Sequence, residues 1–408
     1  MNDLPPSPAA TPRPFRRQVF YVPGYDPIHP RRYRELYRKE GADQAALSGY
    51  SLSLQPKAGT GPYGWRVRAD IGGAVETEVQ VLVWSDIVRS SMAQGVVATY
   101  LQLVRTAGAY ILTGALFRLM RLRKGPMIAA LYPIGMLLLQ LAMALGLAYA
   151  GGALGALLHP LVAAAVALAV LVAVLRTCRK YDNRLYAYYL MHDYAYAARS
   201  LGANPPELEA RLAEFGRSIA AALTGDLDEV LVVGHSSGAH LAVSILADLI
   251  RDGLPVQHPA LGFLSLGQVV PMISFLPRAR RLRTDLHYLA ARPELTWVDV
   301  TAPGDGCAFA LCDPVAVTGV SPPGKLWPLV ISAAFSQTLS PERWKALRWR
   351  FFRLHFQYLC AFDALSGGAG DYDYFQITAG PLTLADRYRN RAPSRSRIET
   401  PLSGYRST

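Results

Sequence analysis

Asp228-Glu-Val-Leu-Val-Val-Gly234-His235-Ser236-Ser237-Gly238-Ala-His240-Leu-Ala-Val243 is the stretch that decides the fold. Its first half is a short apolar, β-branched run, and its second half opens a helical apolar pattern that continues to Ile250. Between the two stands Gly-x-Ser-x-Gly. A strand that turns sharply into a helix brings backbones too close for side chains, which is what Gly234 and Gly238 answer. The same turn lifts Ser236 above the sheet at a helix N-terminus, where the dipole and the Ser237 N–H favour negative charge. The five-residue pattern alone is weak, and the strand before it and the helix after it give it weight.

Working outward, short apolar runs alternate with helical patterns. Gln18–Val22 reads as a strand ending in Pro23-Gly24-Tyr25-Asp26, and Val79–Trp84 as another. Pro205–Leu223 reads as an amphipathic helix with Asn204 as its cap. Glu229–Val233 is a strand, Ser237–Ile250 a helix, Ala260–Leu266 a strand, Ala279–Ala291 a helix and Thr296–Thr301 a strand. Buried strands alternating with helices predict an α/β fold, a mostly parallel sheet covered on both faces.

In these residues the chain resembles the α/β-hydrolase family, over about residues 18–90 and 205–380. The resemblance implies a serine, an acid and a histidine in that chain order, the last two in loops after later strands. Ser236 takes the nucleophile's place. Of the eight histidines only His355 follows the strand at 296–301, in an aromatic run turning helical. A lone histidine in such a run is ordinarily core packing; the elbow and the chain order favour a base. His235 fills a variable position of the elbow, and His240 packs or caps. For the acid, Asp305 lies just past the strand after Pro303-Gly304, whereas Asp299 lies inside the strand and Asp313 farther along the loop; Asp305 is preferred, and ordinary Asp-Gly turn chemistry is the alternative. The family's oxyanion donors fall on the N–H groups of Ser237 and, in the loop after the first strand, of Tyr25. Many members carry His-Gly there; this chain has Pro23-Gly24, which keeps the glycine that permits close approach and is also compatible with a plain turn.

A second feature is the apolar block. Lys124 and Arg176 are consecutive charges, and the 51 residues between them, Gly125 to Leu175, carry none. About 20 residues cross the hydrocarbon core, so this length fits two crossings and a short turn. The expected helices are 128–149 and 154–175, broken at Ala150-Gly151-Gly152, with a second weak point at His159-Pro160. Basic residues flank both ends and none lies in the turn, which predicts cytoplasmic flanks and an outward turn. Residues 93–119 form an apolar helix with Arg105 near its middle, read as interfacial or domain-packing because a central charge is costly in hydrocarbon.

Composition fits. The chain has 408 residues, 51% hydrophobic and 18% charged, which excludes a disordered protein. The net charge is +12, but nine basic residues and no acid lie between Ile87 and Tyr181, bracketing the apolar block; they read as membrane flanks rather than a nucleic-acid surface. The four cysteines match neither a disulfide scaffold nor a zinc pattern, so no metal or other cofactor is expected. The expected organisation is a disordered N-terminus at 1–17 without a signal peptide's apolar run, hydrolase-domain parts at 18–124 and 176–386, the transmembrane hairpin at 125–175, and a disordered basic tail at 387–408, solvated or lying on anionic headgroups.

The expected activity is acyl transfer to water: a membrane-anchored serine hydrolase cleaving an ester or thioester, with a small-molecule or lipid ester as substrate and membrane lipids as partners. Residues Leu326–Phe335 are expected at the substrate's way in. An acyltransferase using the same serine is a variant. A noncatalytic scaffold on the same fold is the alternative, and a transporter lacks support, since the block holds no acid and only two crossings.

Overall fold

Two valine-rich runs lie side by side at the centre of one sheet in the computed structural model, which describes residues 13–57, 61–365 and 372–408. They are β1 (Phe15–Val22) and β5 (Glu229–His235). The other strands are β2 (Ser51–Pro56), β3 (Gly64–Asp70), β4 (Ala74–Val81), β6 (Ala260–Leu266), β7 (Thr296–Thr301) and β8 (Leu329–Ser332). The order is β2-β3-β4-β1-β5-β6-β7-β8, parallel from β4 to β8 with β2 and β3 antiparallel at one edge. The expected strands at 260–266 and 296–301 are matched residue for residue; β2, β3 and β8 were not foreseen.

Twelve helices concern the argument: α1 (Arg31–Ser48), α2 (Ser85–Met92), α3 (Val96–Leu112), α4 (Ala115–Leu122), α5 (Lys124–Ala156), α6 (Pro160–Lys180), α7 (Asp182–Leu185), α8 (Ala187–Arg199), α9 (Pro206–Ala222), α10 (Gly238–Arg251), α11 (Val270–Ser274) and α12 (Arg280–Leu289). Every residue of β5 is buried, and alternate side chains feed the two faces. Val230 and Val232 join the core under α9, α10 and α12, while Leu231 and Val233 join the opposite core with Tyr37, Tyr358 and Phe375. The chain leaves β1 toward the β4 edge and returns on its other side at β5. That reversal opens a crevice at the carboxyl ends of these two strands, the usual place for a ligand in an open α/β sheet.

Helices α5 and α6 are long and apolar enough to cross a membrane. No residue of α6 is buried, and large apolar side chains such as Leu139, Leu154, Leu161 and Leu168 are exposed. The helix break differs from expectation. α5 runs unbroken through Gly151-Gly152 and ends before His159, whose Nδ1 accepts from Leu161 N at 3.2 Å with Pro160 opening α6. The glycines are packing sites instead: a Cβ on Gly151 would meet Val166 and Val170, and one on Gly155 would lie 3.0 Å from Ala163 Cα. Small residues let two apolar helices approach closely.

Four further expectations are corrected. The 93–119 helix is two, α3 and α4, parted at Gly114, which has φ 71°. Asn204 does not cap α9; Pro205 holds that position, and Asn204 Nδ2 donates to Glu209 at 3.0 Å. Phe15–Arg17 belong to β1, with Arg17 buried and paired to Glu229 at 2.5 Å; residues 1–12 lie outside the described residues. The stretch 387–408 is packed rather than free. Ile398 bridges Cys312, Leu402 N donates to Val317 O at 3.0 Å, and Arg283 bonds Ser407 O at 3.1 Å.

Candidate active site

Ser236 follows β5 directly and has φ 57°, a left-handed conformation that a side chain rarely adopts. Such strain costs about 1–3 kcal/mol and persists only where the surroundings enforce it. Here they do. Ser236 N donates to Leu266 O at 2.9 Å, and Ala239 N to Ser236 O at 3.1 Å. A Cβ on Gly234 would lie 2.8 Å from Ala239 Cα, and one on Gly238 2.1 Å from Val22 O. Both glycines are therefore demanded by space, as the motif implied. Gly24 completes the fit, since its Cβ would stand 3.0 Å from Ser236 Cβ and 3.5 Å from Oγ.

Asp305 follows β7 and His355 ends the short helix Phe351–His355. The two meet at 2.7 Å, Nδ1 to Oδ2, and both are buried. A carboxylate only accepts, so Nδ1 carries the proton of this bond. Burial pushes the Asp305 carboxyl up, but the His355 charge and hydrogen bond, the Cys307 N–H at 2.9 Å and the Tyr358 hydroxyl at 3.0 Å outweigh it and hold it below the usual carboxylate range. Neither rival acid reaches His355. Asp299 is buried in β7, accepting from Ser265 Oγ at 2.5 Å. Asp313 caps the helix Pro314–Thr318 and pairs with Lys325.

Ser236 and His355 line one cavity of about 120 Å³, together with Gly24, Tyr25, Ser237 and Cys307. Among the described residues no hydrogen bond joins Ser236 Oγ to His355; such bonds are often long before a substrate is bound. The Tyr25 N–H points at the elbow and donates to Ser237 Oγ at 3.2 Å. His235 and His240 line the cavity too. His235 Nε2 pairs with the His355 carbonyl at 2.9 Å. Burial, helped by the His355 charge, pushes His235 down to about 3, and burial alone takes His240 to about 4, so both are neutral. Leu326–Phe335, expected at the substrate's way in, contributes nothing to this lining: β8 takes Leu329–Ser332 to the far edge of the sheet.

Three donors, from Asp305, Cys307 and His355, lie within 4.8 Å of one another. Asp305 and His355 already spend donor atoms on each other, and burial with the Asp305 and Asp193 charges keeps Cys307 a thiol. The set suits a hydrogen-bonded pair better than a metal ion, which takes the thiolate.

Two residues escaped the sequence reading. Tyr358 accepts from Ala302 N at 2.9 Å and donates to Asp305, bracing the acid; its position one helical turn beyond His355 was the available signal. Asp193, on α8, lines the cavity with no hydrogen-bond partner among the described residues. Burial pushes its carboxyl up to about 7, with the His355 charge pulling the other way. It is the one acid in an aromatic-rich helix, a pattern that says nothing of where that helix docks. The chain matches no family model, no curated protein and no solved structure.

Proposed function

We propose that this chain is a membrane-anchored serine hydrolase of α/β-hydrolase type, cleaving an ester or thioester of a lipid-like substrate. The reading rests on one conjunction: a strained serine at a strand-to-helix turn shares a cavity with a buried aspartate–histidine pair. His355 Nε2 takes the Ser236 proton as Oγ attacks the carbonyl carbon, and Asp305 stabilises the imidazolium that forms. The oxyanion is met by the Ser237 N–H and by the Tyr25 N–H. The latter's 3.2 Å bond to a neutral hydroxyl yields to an anion, since charge-assisted bonds are roughly twice as strong. His355 then hands its proton to the leaving oxygen or sulfur, the bond to the carbonyl carbon breaks, and the acyl group stays on Ser236. Water, deprotonated by His355, then attacks the acyl carbon; the bond to Ser236 Oγ breaks, His355 returns the proton to Oγ, and the acid leaves.

The hairpin supplies the membrane part of the proposal. α5 and α6 pack antiparallel, their outer ends at the uncharged turn and their inner ends beside Lys124, Arg179 and Lys180. By the positive-inside tendency the sheet domain lies in the cytoplasm.

The test is fluorophosphonate labelling of membranes carrying the wild type, Ser236→Ala or His355→Ala. Labelling lost in the serine variant and greatly reduced in the histidine variant supports the hydrolase. A folded wild type that takes no label removes it, leaving a noncatalytic scaffold as the reading.

A further inference from the structure

A second cavity, of about 40 Å³, abuts the first. The two share Tyr110, Tyr194 and Met272 as a common wall. Beyond that wall the lining is almost wholly aliphatic, from Leu116 of α4 and from Met127, Ala130 and Ile134 of α5. Of its few polar side chains, Tyr110 is already bonded, its Oη donating to Met272 O at 3.0 Å. At the outer end stand Ile111 and Leu131, which line the cavity and are also 47% and 39% exposed.

That mouth opens on an apolar surface. α3 exposes Val97, Leu101, Val104 and Leu112, and α5 exposes Ile128 beside them. Tyr100 Oη donates to Leu137 O at 3.0 Å and α8 packs on both helices, so α3 and the first half of α5 flank the cavity, and α5 is the helix that continues into the hairpin. A contiguous apolar face of this kind is covered by something, and continuity with two membrane-length helices makes lipid the occupant. A single water needs roughly 10–15 Å³ of such space, so the two cavities together hold about a dozen groups of that size. That suits a carbonyl and part of an alkyl chain.

We propose that this second cavity is a chain-binding subsite. An aliphatic chain of the substrate passes from the bilayer between α3 and α5, crosses the wall at Tyr110, Tyr194 and Met272, and presents its carbonyl to Ser236. The claim rests on the serine-hydrolase reading for the chemistry at the inner end, but the subsite itself is testable without it.

Two measurements decide it on the full chain in phosphatidylcholine vesicles. In the first, a palmitate carrying a mid-chain diazirine is photolysed with wild type and with Ser236→Ala. Label on Met272 is expected in both. Met272 is 6% exposed and sits on the sheet domain, so lipid around the hairpin does not reach it. In the second, turnover of dodecanoyl and acetyl esters of one alcohol is compared for Ile111→Trp and Ala107→Phe. The dodecanoyl-to-acetyl ratio is expected to fall by roughly tenfold, the discrimination two buried methylenes supply, while Leu161→Trp, exposed on α6 and lining neither cavity, keeps the wild-type ratio. Absence of label on Met272, or unchanged ratios in both cavity variants, overturns the subsite. If no ester is turned over, the hydrolase reading fails and the Met272 label alone decides the subsite.

Discussion

Tyr358→Phe isolates the part of the site that sequence did not reveal. The side chain is fully buried, and the substitution removes one oxygen while keeping the ring. Two hydrogen bonds go with it, to Asp305 Oδ2 and from Ala302 N. A bond to a carboxylate is worth about 1.5–3 kcal/mol, and an orphaned buried N–H costs about 1–3 kcal/mol. Because the terms overlap, the expected stability loss is about 3 kcal/mol. Asp305 keeps His355 and the Cys307 N–H but loses a donor that favours its charged form. Its carboxyl rises, and the imidazolium formed in the transition state is held less well; a penalty of about 1.4 kcal/mol slows the reaction tenfold. Tyr372→Phe is the control. Its hydroxyl donates to the Tyr358 carbonyl at 2.6 Å, and its loss costs about 1 kcal/mol without touching Asp305. The assay is the second-order rate of phosphonate labelling near neutral pH, with thermal unfolding followed in the same detergent. If Tyr358→Phe labels as fast as Tyr372→Phe, the hydroxyl does not tune the acid and the electrostatic account of the pair is wrong.

Two further outcomes follow from the same geometry. Gly238→Ala places a Cβ 2.1 Å from Val22 O and 2.8 Å from Pro23 O, both backbone atoms that cannot swing aside; the loop carrying Tyr25 shifts, and labelling falls by about 10²–10³, the worth of one oxyanion donor, whereas Ala239→Gly does not cause that loss. Asp299 is buried and its carboxyl is pushed up to about 8, chiefly by burial. Its folded value lies above its unfolded one, so its contribution to stability is present at low pH and is lost as pH rises from about 4 to 8. Asp299→Asn therefore gains on the wild type across that range by up to about 6 kcal/mol, and parallel unfolding curves at pH 5 and pH 9 would show this sign to be wrong.

Periodicity made the central parallel strands legible, because strands buried on both faces are continuous apolar runs with few alternatives. β2 and β3 hid for the opposite reason. As antiparallel strands at one end of the sheet they leave a polar face exposed, Arg66, Arg68 and Asp70 on β3, and a half-polar run resembles a loop. The elbow was legible because steric demand leaves a fixed mark in glycine. The hairpin break was misplaced because Gly151-Gly152 carries two meanings, helix breaking and close helix packing, and only the partner helix distinguishes them. The tail at 387–408 has a disordered composition; what orders it is β8, where Ser394 N donates to Val330 O at 2.8 Å, and the helix Pro314–Thr318 with the loop before it, information held by other residues. Asp193 and Tyr358 are of that kind too, since their roles are set by which helix lies over which strand.

The position of the insertion brings two membrane-length helices to the crevice. Residues between β4 and β5 are those the chain uses to cross from one side of β1 to the other, so they pass over the carboxyl ends of both strands. A hairpin placed in a connection at the amino ends of the strands would tether the domain and leave the crevice alone. Placed here, its flanking helices become the roof. Tyr189 Oη of α8 donates to the Tyr25 carbonyl at 2.5 Å, and Tyr110 Oη of α3 to the Met272 carbonyl at 3.0 Å. One bond grips the loop that carries the proposed oxyanion donor, and the other grips the wall between the two cavities. α8 in turn packs on both α3 and α5. A chain of contiguous packing thus runs from α5 through α8 to the loop of Tyr25 and to the wall between the two cavities. The two membrane-length helices and the cavity of Ser236 are therefore parts of one packed body, in which Asp193 of α8 lines that cavity and the apolar gap beside α5 abuts it.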